Sequence, residues 1–251
     1  MPKKTKIFVS FTVLLSIALA VGLAELFSSI LTISDFAFIN TSQNKISGFN
    51  IYAVSTAKTT NKENVQTLSK ENQNKNGAGY VYEKDGLFYI LASAYESEND
   101  AIKVCENLKN QDIECEIIVI TVDDIKLDLS LSGQEKVAFN NCFTIFKSCY
   151  QKLYDLSVSI DTSVKNQTEC KLEISNLKSD LTKVVSDFET HFNSKLTQDL
   201  VFLKLQLDDL DELLESLYQD NQSQLTSFSS VLKCSYIKVV MMNIDICKQF
   251  N

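Results

Sequence analysis

The side chains that could carry covalent or metal chemistry are few and scattered. The chain of 251 residues has one histidine, His191, so a Ser/His/Asp or Cys/His site would have to be built on it. No nucleophile-elbow motif accompanies it. It lies in Glu189-Thr190-His191-Phe192, on the polar face of an expected helix, where a solvated ring is the plain reading. The carboxylates Asp208, Asp209, Asp211 and Glu212 have the types of a glycosidase acid/base pair. They crowd one charged helical stretch, which reads as a solvated face. The seven cysteines (Cys105, Cys115, Cys142, Cys149, Cys170, Cys234 and Cys247) contain no C-x-x-C and no zinc-ligand spacing. Cys142 and Cys149 stand seven apart on one helix face and read as small core residues. No metal site, cofactor site or catalytic residue is assigned, and the chain reads as a non-enzyme. What remains is binding chemistry. Tyr80, Tyr82, Tyr89 and Tyr95, with Ser55, Ser93 and Leu91, recur at strand spacing and combine aromatic bodies with hydroxyl tips.

These residues need a sheet to hold them, and an internal repeat predicts one. Val54 is matched 36 residues on by Ile90, Val65 by Ala101, Leu68 by Val104, and Tyr80-Val81-Tyr82 by Glu116-Ile117-Ile118. Each copy reads strand, helix, strand, giving β-α-β-β-α-β over residues 49–122. Strands are expected at Phe49–Ser55, Tyr80–Glu83, Leu87–Ala94 and Glu114–Val122, and helices at Asn61–Lys75 and Glu96–Asn110. Lys84-Asp85-Gly86 marks a hairpin. After Gly133 there is neither glycine nor proline for 118 residues. Helices are therefore expected at about 134–159, 163–190, 193–219 and 222–249, opened by a Ser132/Glu135 capping box. Leu177, Leu181, Val184, Val185, Phe188 and Phe192, then Leu203, Leu207, Leu210, Leu213, Leu214 and Leu217, give the spacing of a bundle or coiled coil. The fold class is α+β, with an all-α C-terminal part (123–251).

The amino terminus adds a membrane element. Lys3, Lys4 and Lys6 precede Ile7–Ala24, 18 uncharged residues, and apolar residues continue to Ile33. The reading is a cytoplasmic tail (1–6), a single transmembrane anchor (7–33) and a polar linker (34–48), with the rest outside the cytoplasm of a bacterial cell. Ala18-Leu19-Ala20 also fits signal-peptide cleavage. A non-exported, cytosolic protein is the third reading, in keeping with seven cysteines. The net charge is −8, and beyond the three lysines of that basic tail the chain carries −11, which argues against nucleic acid as a partner.

In the second repeat, Ile90-Leu91-Ala92-Ser93-Ala94-Tyr95 followed by Glu98-Asn99-Asp100-Ala101 resembles the SPOR domain, the sporulation-related repeat family. Ser93 stands where that family usually has glycine, and Tyr95 where it has Phe or Tyr. The first repeat, Val54–Thr59 then Glu63-Asn64-Val65, lacks the aromatic. The resemblance spans about residues 48–122. It implies a ferredoxin-like fold binding peptidoglycan glycan strands freed of stem peptides, as at division or sporulation septa, with the helical part recruiting partners. Strand alternation places Val54, Val81, Ile90, Ala92, Ile117 and Val119 under the two helices. Ala53, Ser55, Tyr80, Tyr82, Tyr89, Leu91 and Ser93 then point to an open face. The expected glycan site is Ser55, Tyr80, Tyr82, Tyr89, Leu91, Ser93 and Tyr95, since a pyranose packs its C–H face on aromatic rings and hydrogen-bonds to hydroxyls. The alternative is a structural or interaction membrane protein whose helical part is the functional one.

Overall fold

The computed structural model describes residues 39–40, 45–126, 130–221 and 225–250. The expected anchor and its basic flank lie outside them. Among the described residues no helix is long and apolar enough to cross a membrane.

The strand–helix order follows the repeat: β3 (Phe49–Thr59), α1 (Lys62–Asn74), β4 (Tyr80–Lys84), β5 (Leu87–Tyr95), α2 (Glu98–Lys109) and β6 (Glu116–Val122). The sheet runs β4-β5-β3-β6 with every neighbour antiparallel, the ferredoxin-like arrangement. Local chemistry sets the joints. Asp85 (φ 53°) and Gly86 (φ 76°) form the two-residue β4–β5 turn, whose left-handed pair of φ values suits strand twist. Asn61 Oδ1 caps α1 and Ser97 Oγ caps α2 by accepting from Glu63 N and Asp100 N.

Part of the expected linker is tied down. β2 (Lys45–Ile46) pairs with both β1 (Ile39–Asn40) and β7 (Ile125–Lys126). Ile46 and Ile125 are buried. Asp124 receives Lys45 at 2.5 Å and accepts from Gly48 N at 2.8 Å. A Cβ at Gly48 would lie 2.5 Å from the Val122 carbonyl oxygen, so only glycine allows this approach.

Four helices follow: α3 (Gly133–Asp161), α4 (Gln167–Phe192), α5 (Gln198–Gln219) and α6 (Leu225–Gln249). Ser132 with Glu135 and Asn166 with Glu169 form capping boxes, the first as expected. Each helix packs on the next and α6 closes the ring on α3. The leucine rows are largely buried as their spacing predicts, although Val184, Val185 and Leu213 are only partly covered.

The two parts are not separate bodies on a string. α6 packs against β4, β5 and β6 as well as its own bundle. Ile51, Ala53, Leu91, Ala94 and Ile120 of the sheet join Leu232, Tyr236, Val240 and Ile244 of α6 in one continuous apolar core. On the other side of the sheet, α2 covers Val54 and Ile117, and α1 covers Ile90 and Val81.

Candidate functional site

The face expected to be open is largely roofed by α6. Tyr80, Tyr82, Tyr89 and Leu91 do share a face with Ala53, as alternation predicts. Leu91 is fully buried there. The three tyrosines are only half-buried along its margin. Burial pushes the Tyr80 phenol up to about 12 and raises that of Tyr82, with Asp245 of α6 adding a like-charge effect to both. Ser55 is buried and spends its hydroxyl on the Ala57 carbonyl at 2.9 Å. It presents nothing to a ligand.

Ser93 and Tyr95 are displaced for a different reason. The pairing of β3 with β5 slips twice, so that Ser55 opposes Leu91 directly and Ala57 opposes Ile90. Thr56 and Ala92 are thus extra residues in their strands. A bulge of one residue inverts the phase of alternation beyond it. Ser93 and Tyr95 consequently turn to the helix-covered side, where both are buried. Tyr95 meets Tyr154 of α3 edge-on, with centroids 6.3 Å apart, and burial pushes its phenol up to about 12. Val119, expected beneath the helices, is 42% exposed and has no such cover. Of the seven expected site residues, Ser55, Tyr80, Tyr82, Tyr89 and Leu91 share one face, and of these only the tyrosines retain solvent access.

The same slip brings in a residue that alternation counted from Phe49 could not place. After the Thr56 bulge, Lys58 falls opposite Tyr89, and Tyr89 falls opposite Tyr82. Tyr82, Tyr89 and Lys58 therefore form a straight row across three strands at the uncovered end of the sheet. Lys58 is half-exposed and pairs with Glu116 of β6 at 3.1 Å, which raises its pKa by hydrogen bonding to the carboxylate. The row sets two tyrosines in direct cross-strand opposition, flanked by a donor and an acceptor.

The residues set aside from catalysis are engaged elsewhere. His191 is more packed than a solvated ring: its Nδ1 lies 2.9 Å from the Asp187 carbonyl oxygen and 3.3 Å from its carboxylate. Asp208 pairs with Lys204 at 2.6 Å. Cys142 and Cys149 are buried core residues, as their spacing predicts, and burial raises both thiols, that of Cys149 to about 12. Cys105 and Cys115 form a disulfide that ties the end of α2 to the start of β6. Among the described residues no group of three or more His, Cys, Asp or Glu converges as a metal site.

No family model matches the chain, and no curated protein matches it. A solved structure that resembles it is the solution structure of the peptidoglycan binding domain of the B. subtilis cell wall lytic enzyme CwlC. It is 20% identical, the alignment covers 36% of this chain and 99% of that one, and the TM-score is 0.26. At that level the likeness carries no argument about function.

Proposed function

We propose that this chain is a non-catalytic, membrane-anchored protein of the bacterial cell envelope that binds peptidoglycan glycan strands through the row Tyr82–Tyr89–Lys58. The observation that carries the reading is the register of that row. Two tyrosines in direct cross-strand opposition form a platform long enough for a sugar ring to stack on. Lys58 and Glu116 at its end serve as donor and acceptor for ring hydroxyls. The β-α-β-β-α-β order and the Ile90–Tyr95 pattern support a SPOR-like unit. The Cys105–Cys115 disulfide fits an oxidising compartment outside the cytoplasm. The finer reading is a preference for strands stripped of stem peptides, at a division or sporulation septum, with no role for nucleic acid.

The test is co-sedimentation of the full chain with purified sacculi, before and after amidase digestion. Binding should rise after digestion and fall at least about tenfold in Tyr82→Ala/Tyr89→Ala, since each stacked ring is worth on the order of 1 kcal/mol. Equal binding by the double variant removes the row from the site. Isolated residues 45–122 are unsuited to the assay, because removal of α6 bares Ile51, Leu91 and Ile120, an apolar surface that would adhere to anything.

A second reading has its own support in the roof over the sheet. If the sheet serves as a seat for α6, the chain is a structural or interaction protein whose bundle meets the partner. Sacculus binding would then be absent altogether, with the fold intact.

A further inference from the structure

The helix-covered side of the sheet is not completely filled. A cavity of about 250 Å³ lies between α1 and α2, floored by the two bulges. Its origin is local: Thr56 and Ala92 push the two central strands out of register where the side chains are small (Ala57, Ala92, Ser93), and no large residue from either helix replaces the lost volume. One wall is apolar, formed by Leu68 of α1 with Val104 and Leu108 of α2.

The inner end is polar and incompletely satisfied. Asn76 Oδ1, Ser93 Oγ and Tyr95 Oη are each buried without a hydrogen-bond partner, and all three residues line this cavity. The Ser93 hydroxyl sits near enough to Tyr95 to ease its ionisation slightly, without hydrogen-bond geometry. Buried polar atoms are nearly always paired, so three orphans on residues around one cavity call for a hydrogen-bonding occupant. Charge at that end is already balanced. Lys233 Nζ reaches the cavity but is held by Asp161 Oδ2 at 2.5 Å and by the Asn76 carbonyl at 2.9 Å. The Tyr95 phenol is neutral at any ordinary pH.

We propose that this cavity is a binding site for a small neutral molecule with an apolar body and a hydroxyl or amide head. The amide oxygen of Asn76 only accepts, so the head must donate. Ser93 and Tyr95 donate to it in return. The body packs on Leu68, Val104 and Leu108. The volume is below that of drug-sized pockets, so the ligand is of fragment size. The site lies on the opposite side of the sheet from the tyrosine row and is independent of glycan binding.

Phenol and toluene, the same ring with and without the donor, separate the possibilities when titrated into the full chain with methyl-detected NMR. Phenol should shift the Leu68, Val104 and Leu108 methyl signals saturably and bind about tenfold or more tightly than toluene. Ser93→Ala and Tyr95→Phe should each reduce that preference, and Ala92→Leu should abolish both interactions by filling the space. The sulfur- and charge-free changes at Ser93 and Tyr95 keep the volume nearly constant, so they remain informative if Ala92→Leu does not fold. No saturable shift with either probe means ordered water alone occupies the cavity and overturns the proposal. So does equal affinity for toluene, or a preference unmoved by both conservative variants.

Discussion

Replacing Lys233 by methionine tests how the sheet unit and the bundle are locked together. The ammonium sits on α6, its side chain 3% exposed, 2.5 Å from the Asp161 carboxylate, whose side chain is 2% exposed at the end of α3. Asp161 also accepts from Asn76 Nδ2 at 2.8 Å and Ser229 Oγ at 2.6 Å, and Lys233 donates to the Asn76 carbonyl. Three chain segments thus meet on one buried ion pair: α6, the end of α3 and the turn after α1. Methionine fills nearly the same volume but leaves the carboxylate with two neutral donors, and breaking a buried pair in this way costs about 3–5 kcal/mol. For a chain of this size that is a drop of about 6–20 °C in Tm. Thermal unfolding of parent, Lys233→Met, Asp161→Asn and the double variant gives the coupling. The double variant should lie closer to the parent than Lys233→Met does. A loss below about 1 kcal/mol for Lys233→Met, or strictly additive single losses, would refute the reasoning.

Two further outcomes follow from the same structure. Leu91→Ala should cost about 2–5 kcal/mol in urea unfolding, because the side chain is fully buried between β5 and α6, whereas an open-face position would change stability by less than about 0.5 kcal/mol. Hydrogen bonds from Lys195 and Ser132 hold the Glu135 carboxyl down at about 2, and those from Lys152 and Lys165 do the same for Glu173. Their contribution to stability is complete above the ordinary glutamate pKa and is lost as pH falls towards about 2. The combined Glu135→Gln/Glu173→Gln variant should therefore flatten the acid limb of stability against pH, measured between pH 5 and 2 as marked by about those pKa values.

The topology was legible because the repeat, the Asp85-Gly86 turn and the Ser132/Glu135 box are all local signals, and local signals survive into the fold. The face pattern was legible only as far as the first bulge. Nothing in Ala92-Ser93 or Ser55-Thr56 announces an extra residue, yet each bulge inverts the alternation beyond it, which hides Ser93 and Tyr95 and brings Lys58 beside Tyr89. The roof over the sheet was hidden for another reason. α6 has an apolar face for the bundle and another for the sheet, and a helix apolar on two sides reads in one dimension as simply rich in Val, Ile and Met. Its buried Ser229, Ser230 and Lys233 were the available hint, since polar residues sealed inside a helix pair with something beyond it.

The position of α6 in the chain also orders events in time. During synthesis, the sheet's apolar side emerges roughly 100 residues before the helix that will cover it, and the bundle lacks its fourth member until the same helix is made. Neither half can finish folding until the last helix has been made and released. The chain therefore behaves as one late-closing unit, in which loss of α6 uncovers the sheet and opens the bundle together.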